Sequence, residues 1–448
     1  MRVRDLPAKP ARVSGSVAVA PLRHLGRLRL VALGINSVIG GGIFILPAEV
    51  TGLIGRSAIF AYVVAGLVAI GVGLALASLS SRYEISGGPY LYVHRVFGEF
   101  AGFQVGWLFC LARITAMAGL VNGFGRYLGA LLPWAATPIG RALVIIACSA
   151  LITTINMIGI RQTSRATNLF TVAKVVPLVV LAIAGLFFLR LENLEAVPVE
   201  PMSFVRAVLL LIFAFSGFEI LTVPAEESLQ PRRDMPFAVI ATILTVCAIY
   251  LPVHLVAAGM LDNLASEQAP LASVAGILAG PAGRYAMTFI AATSMAGCAL
   301  ISLVGGTRLM YSMSSARQLP LWMGSLHAGW RTPVRATMII GVLGTTLAIA
   351  SAYSTLAAVS AGTRLLVYLA CCCACLRRPA AAREDGAPGE RHALRGRIIP
   401  ALTSLAIVAL LCALERDEII GGLSGVGIGT VLYFGMRRAV PAVGGTTS

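Results

Sequence analysis

The sequence predicts an all-α polytopic membrane protein of twelve transmembrane helices, and three observations carry that expectation. Only 12% of the 448 residues are charged and 58% are hydrophobic, against roughly 25% charged in soluble domains. Apolar segments of about 20 residues, the length that crosses a bilayer core, follow one another with short polar joints. They start near Leu28, Ser57, Gly98, Ile139, Asn168, Ser203, Met235, Arg284, Pro333, Ser354, Ile398 and Glu418. Two of them, the first and the sixth, are interrupted near their centres by glycine. The segments and their connections use nearly the whole chain, so no soluble catalytic domain is expected and the protein is not read as an enzyme.

The first segment carries no charged side chain between Leu30 and Ala48, and Gly40-Gly41-Gly42 sits in its middle with Pro47 beyond. Each glycine inside a helix costs about 0.8–1 kcal/mol relative to alanine. From Leu28 to Ile54 an unbroken helix would be roughly 40 Å long, more than the roughly 30 Å hydrocarbon core. Two half-helices with an unwound joint are therefore predicted. Unpaired backbone inside a bilayer is tolerated only where it lines a cavity or is covered by protein, so the joint is expected to line one. The sixth segment, Ser203 to about Leu229, breaks at Phe213-Ala214-Phe215-Ser216-Gly217-Phe218-Glu219, with Pro224 beyond. Paired breaks in corresponding halves point to the substrate site of a secondary transporter.

An offset of five segments between the breaks predicts two repeats, residues 28–190 (helices 1–5) and 203–376 (helices 6–10). Five is odd, so the second repeat enters from the opposite side and is inverted. Helices 11 and 12 follow over 398–437. Glu84-Ile85-Ser86-Gly87-Gly88-Pro89-Tyr90 is too polar to span and is expected as a re-entrant or interfacial element. The remaining pieces are a basic tail (1–27), a linker rich in arginine, alanine, glycine and proline (377–397) and a second tail (438–448).

A net charge of +16 raises the question of a nucleic-acid partner, and its distribution answers against one. With the N-terminus in the cytoplasm, only Arg56, Arg126, Arg141, Arg190, Arg206, Arg284 and Arg416 lie outside. Arg113, Lys174 and Arg364 fall within spans, and the rest of the 35 basic residues are cytoplasmic. That bias predicts a multi-pass protein of the cell membrane with both termini in the cytoplasm, its basic excess facing anionic lipid. No nucleic acid and no obligatory protein partner are expected. Cys371-Cys372-Cys373-Ala374-Cys375 has no nearby histidine and reads as small residues near a helix end, with palmitoylation as the other option. No metal site or cofactor is expected.

Several joints carry a resemblance. Ile39-Gly40-Gly41-Gly42-Ile43-Phe44, then Gly88-Pro89-Tyr90-Leu91-Tyr92 with Phe97-Gly98 and Gly106-Trp107, then Asn156-Met157-Ile158-Gly159-Ile160-Arg161 with Asn168 and Lys174, stand in order along the chain. Phe213 to Glu219 with Ala225-Glu226-Glu227, Pro231-Arg232-Arg233 and Pro236, and Arg308 to Tyr311 with Leu319-Pro320 and Thr332-Pro333, complete the series. Together they resemble the amino acid-polyamine-organocation permease family. The family's usual Arg-Asp-Gly is Arg317-Gln318 preceded by Ala316 here. The resemblance implies a LeuT-type 5+5 inverted-repeat fold, with helices 1 and 6 broken, and transport of amino acids or related amines.

It also implies roles. The backbone of Gly40, Gly41 and Gly42 is expected to hold the substrate carboxylate at the free N–H end of a half-helix. Glycine permits that approach because it lacks a Cβ, although close helix packing also selects glycine. The ammonium is expected at the carbonyls of Val38, Phe213 and Ser216, with the Phe213 ring as a gate. Lys174 matches a lysine that replaces sodium in proton-coupled relatives. Buried there, it could release and reload a proton as the site opens to either side, or act only as a static ion-pair partner. The proton gradient is the expected energy source.

Charge inside a span is costly and marks function by default. Glu219, grouped with Lys174 for proton coupling, either tunes the joint of the sixth segment or pairs with a buried arginine. Arg113 either pairs with Glu219 or lines the pathway, and Arg364 is expected to snorkel to an interface. Segment 8 has no aromatic residue between Ile290 and Met310, so a ring to stack on a guanidinium is missing there. A neutral amino acid, imported by alternating access with a proton, is expected over arginine or agmatine. An amino acid or amine exchanger without ion coupling, or a membrane amino acid sensor, are the alternatives.

Overall fold

The computed structural model describes residues 26–82, 88–159, 164–190, 192, 198–222, 230–377 and 390–439. Several expectations lie outside them: tail residues 1–25 and 440–448, Glu84 to Gly87 of the polar joint, Ile160-Arg161, Pro224 to Glu227, and linker residues 378–389. The described residues form helices, turns and short connections, with no strand among them.

The first span is broken as expected. Helix α1 (Arg27–Val38) stops before Ile39, Gly40 and Gly41, and α2 (Gly42–Ile54) restarts beyond them. After a turn at Gly55 come α3 (Ala58–Arg82) and the short α4 (Gly88–Phe97), which is what the structure describes of the polar joint. Gly98, at φ +89°, turns the chain into α5 (Glu99–Gly129). A single turn, α6 (Pro133–Ala136), precedes α7 (Pro138–Ile158). Thr137 caps α7 by accepting the Gly140 N–H at 3.1 Å, and Gly159 in the left-handed region ends it, the roles these residue types favour at helix ends.

Helix α8 (Ser164–Leu186) carries Lys174, and α9 (Pro201–Phe215) starts with proline in its first turn and stops at the second predicted break. A 3₁₀ turn, Phe218–Thr222, follows that break. Then come α10 (Pro231–Met260), α11 (Pro270–Ser315), α12 (Val334–Ala350), α13 (Tyr353–Leu376), α14 (Glu390–Leu411) and α15 (Arg416–Ala439). Helix α11 is two helices joined at Ala279 and Gly280, where the backbone leaves helical angles just before Pro281.

Eight stretches are long and apolar enough to cross a membrane by length and composition: Gly42–Ser80, Glu99–Gly129, Pro138–Ile158, Pro201–Leu221, Arg233–Met260, Pro270–Ser315, Tyr353–Leu376 and Arg416–Met436. Three further apolar helices are shorter, Thr171–Leu186, Val334–Ala350 and Arg397–Leu411. Their burial sorts them. The apolar window of α5 is 89% buried, against 28% for α7 and 17% for α15, so α5 is central and the other two present their apolar faces outward. Helix α5 packs on α11 and α13, α10 packs on α3 and α1, and α2 lies against α9. This arrangement surrounds the two breaks with α5, α8, α10, α11 and α13.

Candidate functional site

The two breaks meet. A Cβ on Gly42, the first residue of α2, would stand 2.5 Å from the Cα of Ala214 on α9. On the other side Gly217, at φ +121°, passes so close to α1 that a Cβ would lie 2.6 Å from the Ser37 carbonyl oxygen. Glycine is required at both positions because backbone faces backbone, and at Gly217 also because its φ is one that side chains rarely adopt. Gly42 is therefore a packing glycine as well as a candidate ligand. Gly40 and Gly41 differ, since their Cβ atoms would meet side chains: Cys298 Sγ at 3.2 Å from Gly40, Leu120 Cδ2 at 3.0 Å and the Tyr353 hydroxyl at 3.3 Å from Gly41.

Breaking a helix leaves its last carbonyls and first N–H groups without intrahelical partners. At the end of α1 the carbonyls are met by side chains from three helices. Lys174 on α8, 4% exposed, donates through Nζ to Asn36 O at 3.3 Å and Ile39 O at 3.2 Å, and reaches Cys298 Sγ at 3.4 Å. Ser294 on α11 donates to Ile39 O at 3.2 Å, and the Tyr250 hydroxyl on α10 lies 3.3 Å from Val38 O and 3.4 Å from Ala214 O. An ammonium has three N–H donors, and Lys174 finds three acceptors at the negative end of a half-helix dipole. The N–H groups of Gly40, Gly41 and Gly42, at the positive end of α2, donate to no backbone carbonyl among the described residues.

At the second break Ser216 donates both its N–H (3.3 Å) and its hydroxyl (2.7 Å) to Phe213 O. Of the three carbonyls expected to receive an ammonium, that of Phe213 is thus filled from within the break, while Val38 O accepts Tyr250. The Phe213 ring is buried and meets Tyr353 edge-on, centroids 6.0 Å apart.

Below the joint lies a buried charge cluster. Glu219 Oε1 pairs with Arg364 on α13 and lies 3.6 Å from Arg113 on α5. Its Oε2 accepts the Gly217 N–H at 2.7 Å and the Tyr368 hydroxyl at 3.1 Å. Glu219 thus pairs with buried arginine and also accepts from the backbone of the second break. The expectation that Arg364 snorkels is corrected, because Arg364 is only 2% exposed and turns inward to pair with Glu219 through Nη1. Arg113 pairs with Glu219, as one of its two expected readings has it, and borders the cavity.

The cavity itself is small, about 30 Å³, enough for a water or two, and is bordered by Gly40 to Gly42, Phe213, Ser216, Cys298, Arg113 and Arg364 among others. Lys174 and Glu219 stand one contact behind its wall. On the far side of the joint from Arg113, Arg126 on α5 pairs with Glu49 on α2 and donates to Glu267 O at 3.0 Å. Sequence reasoning missed Tyr250, Ser294, Cys298, Tyr353 and Tyr368. Each is a hydroxyl or thiol in an apolar helix with no charge to flag it. His254, the histidine within a span, is buried against the Tyr62 ring at 4.7 Å and away from the cavity wall.

The described residues form a helical bundle with eight stretches of membrane-crossing length and a cavity between two helix breaks, and the chain's family and relatives place it among membrane transport proteins. The chain is a member of the amino acid permease family, whose model matches residues 25–415. It is 27% identical to a branched-chain amino acid permease of Bacillus subtilis, over 92% of both chains. It is 26% identical to a serine/threonine exchanger of the same organism, over 93% of this chain and 97% of that one. A methylthioribose transporter, also from Bacillus subtilis, is 26% identical over 73% of this chain and 74% of its own length. Family and relatives are transporters rather than enzymes.

Proposed function

We propose that the chain is a secondary active transporter that imports an amino acid across the cell membrane by alternating access, coupled to a proton. The observation that carries this reading is the meeting of two helix breaks whose free ends border one cavity. The N–H groups of Gly40, Gly41 and Gly42 suit a carboxylate, because glycine backbone at a positive helix end binds anions. The carbonyls of Val38 and Ser216 suit the ammonium. Phe213 covers the bound molecule, and the cavity, too small for an amino acid as it stands, widens when the site opens.

In this reading residues 28–190 and 203–376 are the two inverted five-helix repeats of a twelve-span LeuT-type fold. Helices 11 and 12 occupy 398–437, and the tails 1–27 and 438–448 and the linker 377–397 face the cytoplasm. Lys174 is the coupling residue. Charged, it satisfies the end of α1 with three acceptors; neutral, it loses part of that grip and lets α1 move relative to α8. Glu219 sets the joint against which this movement works.

The stretch of α11 from Ile290 to Met310 carries no aromatic ring, which argues against a guanidinium substrate, and two buried arginines on the opposite wall argue against any cation. A neutral amino acid is the simplest substrate on those grounds. The relatives are named for branched-chain amino acids, for serine and threonine, and for methylthioribose, so side-chain selectivity rests on this chain's own cavity wall.

Uptake into proteoliposomes, with and without an inward proton gradient and with and without amino acid inside, tests the proposal. Accumulation driven by the gradient is expected. Uptake only against internal amino acid makes the protein an exchanger, and binding without uptake makes it a sensor.

A further inference from the structure

Arg113 has more hydrogen-bonding capacity than the protein uses. It is 5% exposed and borders the cavity. Its ion pair with Glu219 is 3.6 Å long, beyond hydrogen-bond range, and that carboxylate is already engaged by Arg364, Tyr368 and the Gly217 N–H. Phe109 stacks under the guanidinium at 4.9 Å and orients it. Among the described residues Arg113 donates no hydrogen bond, although a guanidinium carries five N–H donors. Two arginines thus share one carboxylate at the wall of the cavity, and a buried charge only partly compensated is costly.

Two helices independently measure how far Arg113 lies from the glycine joint. On α5, Leu120 touches the Gly41 position at 3.0 Å, and Arg113 is seven residues earlier. On α11, Cys298 touches the Gly40 position at 3.2 Å, and Gly305, seven residues later, would place a Cβ 3.4 Å from Arg113 Nε. Seven residues of helix rise about 10 Å. In an extended five-carbon amino dicarboxylate the two carboxylate carbons are about 5 Å apart. With a hydrogen bond of about 2.9 Å at each end, donor-to-donor separation reaches roughly 10–12 Å.

We propose that Arg113 is a second anion subsite and that the preferred substrates are acidic amino acids of glutamate length. The α-carboxylate sits on the N–H groups of the glycine joint and the side-chain carboxylate on Arg113. This rests on the permease reading above and replaces its neutral side chain with an acidic one, because the two arginines that argue against a cation have one carboxylate between them. The substrate's second carboxylate supplies the counter-charge that Glu219 cannot give to both arginines.

The test uses the full chain in proteoliposomes, with uptake of labelled L-glutamate, L-aspartate, L-leucine and L-serine and competition by each unlabelled compound and by glutarate. L-Glutamate is expected to compete at a concentration at least tenfold lower than L-leucine or L-serine, and also than glutarate, which lacks the ammonium. Arg113→Gln leaves the Glu219–Arg364 pair balanced and so is expected to fold; it should lose at least tenfold of the glutamate preference, with Arg113→Lys keeping part of it. Uptake of L-leucine or L-serine that L-glutamate does not inhibit overturns the proposal and leaves the permease reading standing. Equal competition by glutarate, or an unchanged glutamate-to-leucine ratio in Arg113→Gln, overturns it as well. Failure to transport or bind any amino acid overturns the permease reading and this one with it. If Arg113→Gln does not fold, the wild-type competition series and the thermal shift by L-glutamate decide alone.

Discussion

Gly217 rests on the carbonyl of Ser37, with room for no more than a hydrogen: an added Cβ would stand 2.6 Å from that oxygen. The contact joins the two helix breaks through their main chains. Gly217→Ala is expected to cost about 1–3 kcal/mol from crowding alone, with backbone strain in addition. Thermal unfolding in detergent should show a lowered midpoint, and uptake should fall with it. A variant of unchanged midpoint would show that the breaks can separate without loss.

The three glycines of the first joint should not behave alike. Gly42→Ala drives a methyl into the Ala214 backbone at 2.5 Å and should destabilise the fold, whereas the Cβ of Gly41→Ala meets the flexible Leu120 side chain at 3.0 Å. Gly41→Ala and Gly41→Leu are therefore expected to leave folded protein in the membrane and to weaken or abolish substrate binding. Expression with size-exclusion profile, beside ligand-induced thermal shift, separates the two effects. Wild-type affinity in Gly41→Leu would remove the carboxylate from this joint.

Lys174→Ala should bind substrate and lose pH-driven accumulation. Its Nζ spans Asn36 O and Ile39 O at 3.3 and 3.2 Å, so removing it also frees the end of α1. Uptake against a gradient at several external pH values is the measurement. An unchanged pH dependence would make Lys174 a static clamp and send the search for the coupling group elsewhere.

Glu219 and Arg364 should show strong coupling. Removing one partner of a buried pair typically costs about 3–5 kcal/mol, while replacing both with apolar residues costs far less. Glu219→Gln leaves two buried arginines without a counter-charge and should be the most damaging single change in the cluster. Arg364→Met should be milder, because Arg113 remains 3.6 Å from Glu219. A thermal-stability cycle over the two singles and the double reads this out; additive losses would mean that the pair is not coupled.

The helix breaks were legible in the sequence because glycine runs inside apolar segments have few other uses. Both occur where expected, at Ile39 to Gly41 and after Phe215. The ionisable residues were legible for a related reason, as charge inside a span is rare. Their pairing was not. Glu219 and Arg364 are 145 residues apart, and nothing local to Arg364 distinguishes a residue that reaches the interface from one that turns inward. The hydroxyl and thiol donors that meet the end of α1, Tyr250, Ser294 and Cys298, were invisible, because such residues are equally at home packed in an apolar helix. The substrate expectation drew on segment 8 alone for the same reason. Segment 8 could be searched for a missing ring, but the wall facing it, with Arg113, is built from another part of the chain.

The close approach of Gly42 to Ala214 and of Gly217 to Ser37 has a consequence for how such a protein can change over generations. On the proposed reading, what every amino acid shares, its carboxylate and ammonium, faces peptide groups of the two breaks, which Gly42 and Gly217 hold together where no side chain fits. On the same reading, what distinguishes one amino acid from another faces side chains on α5, α11 and α13, where a single codon can alter charge or size without disturbing the joint. New cargo can therefore be acquired one substitution at a time while the grip on the common part is inherited intact.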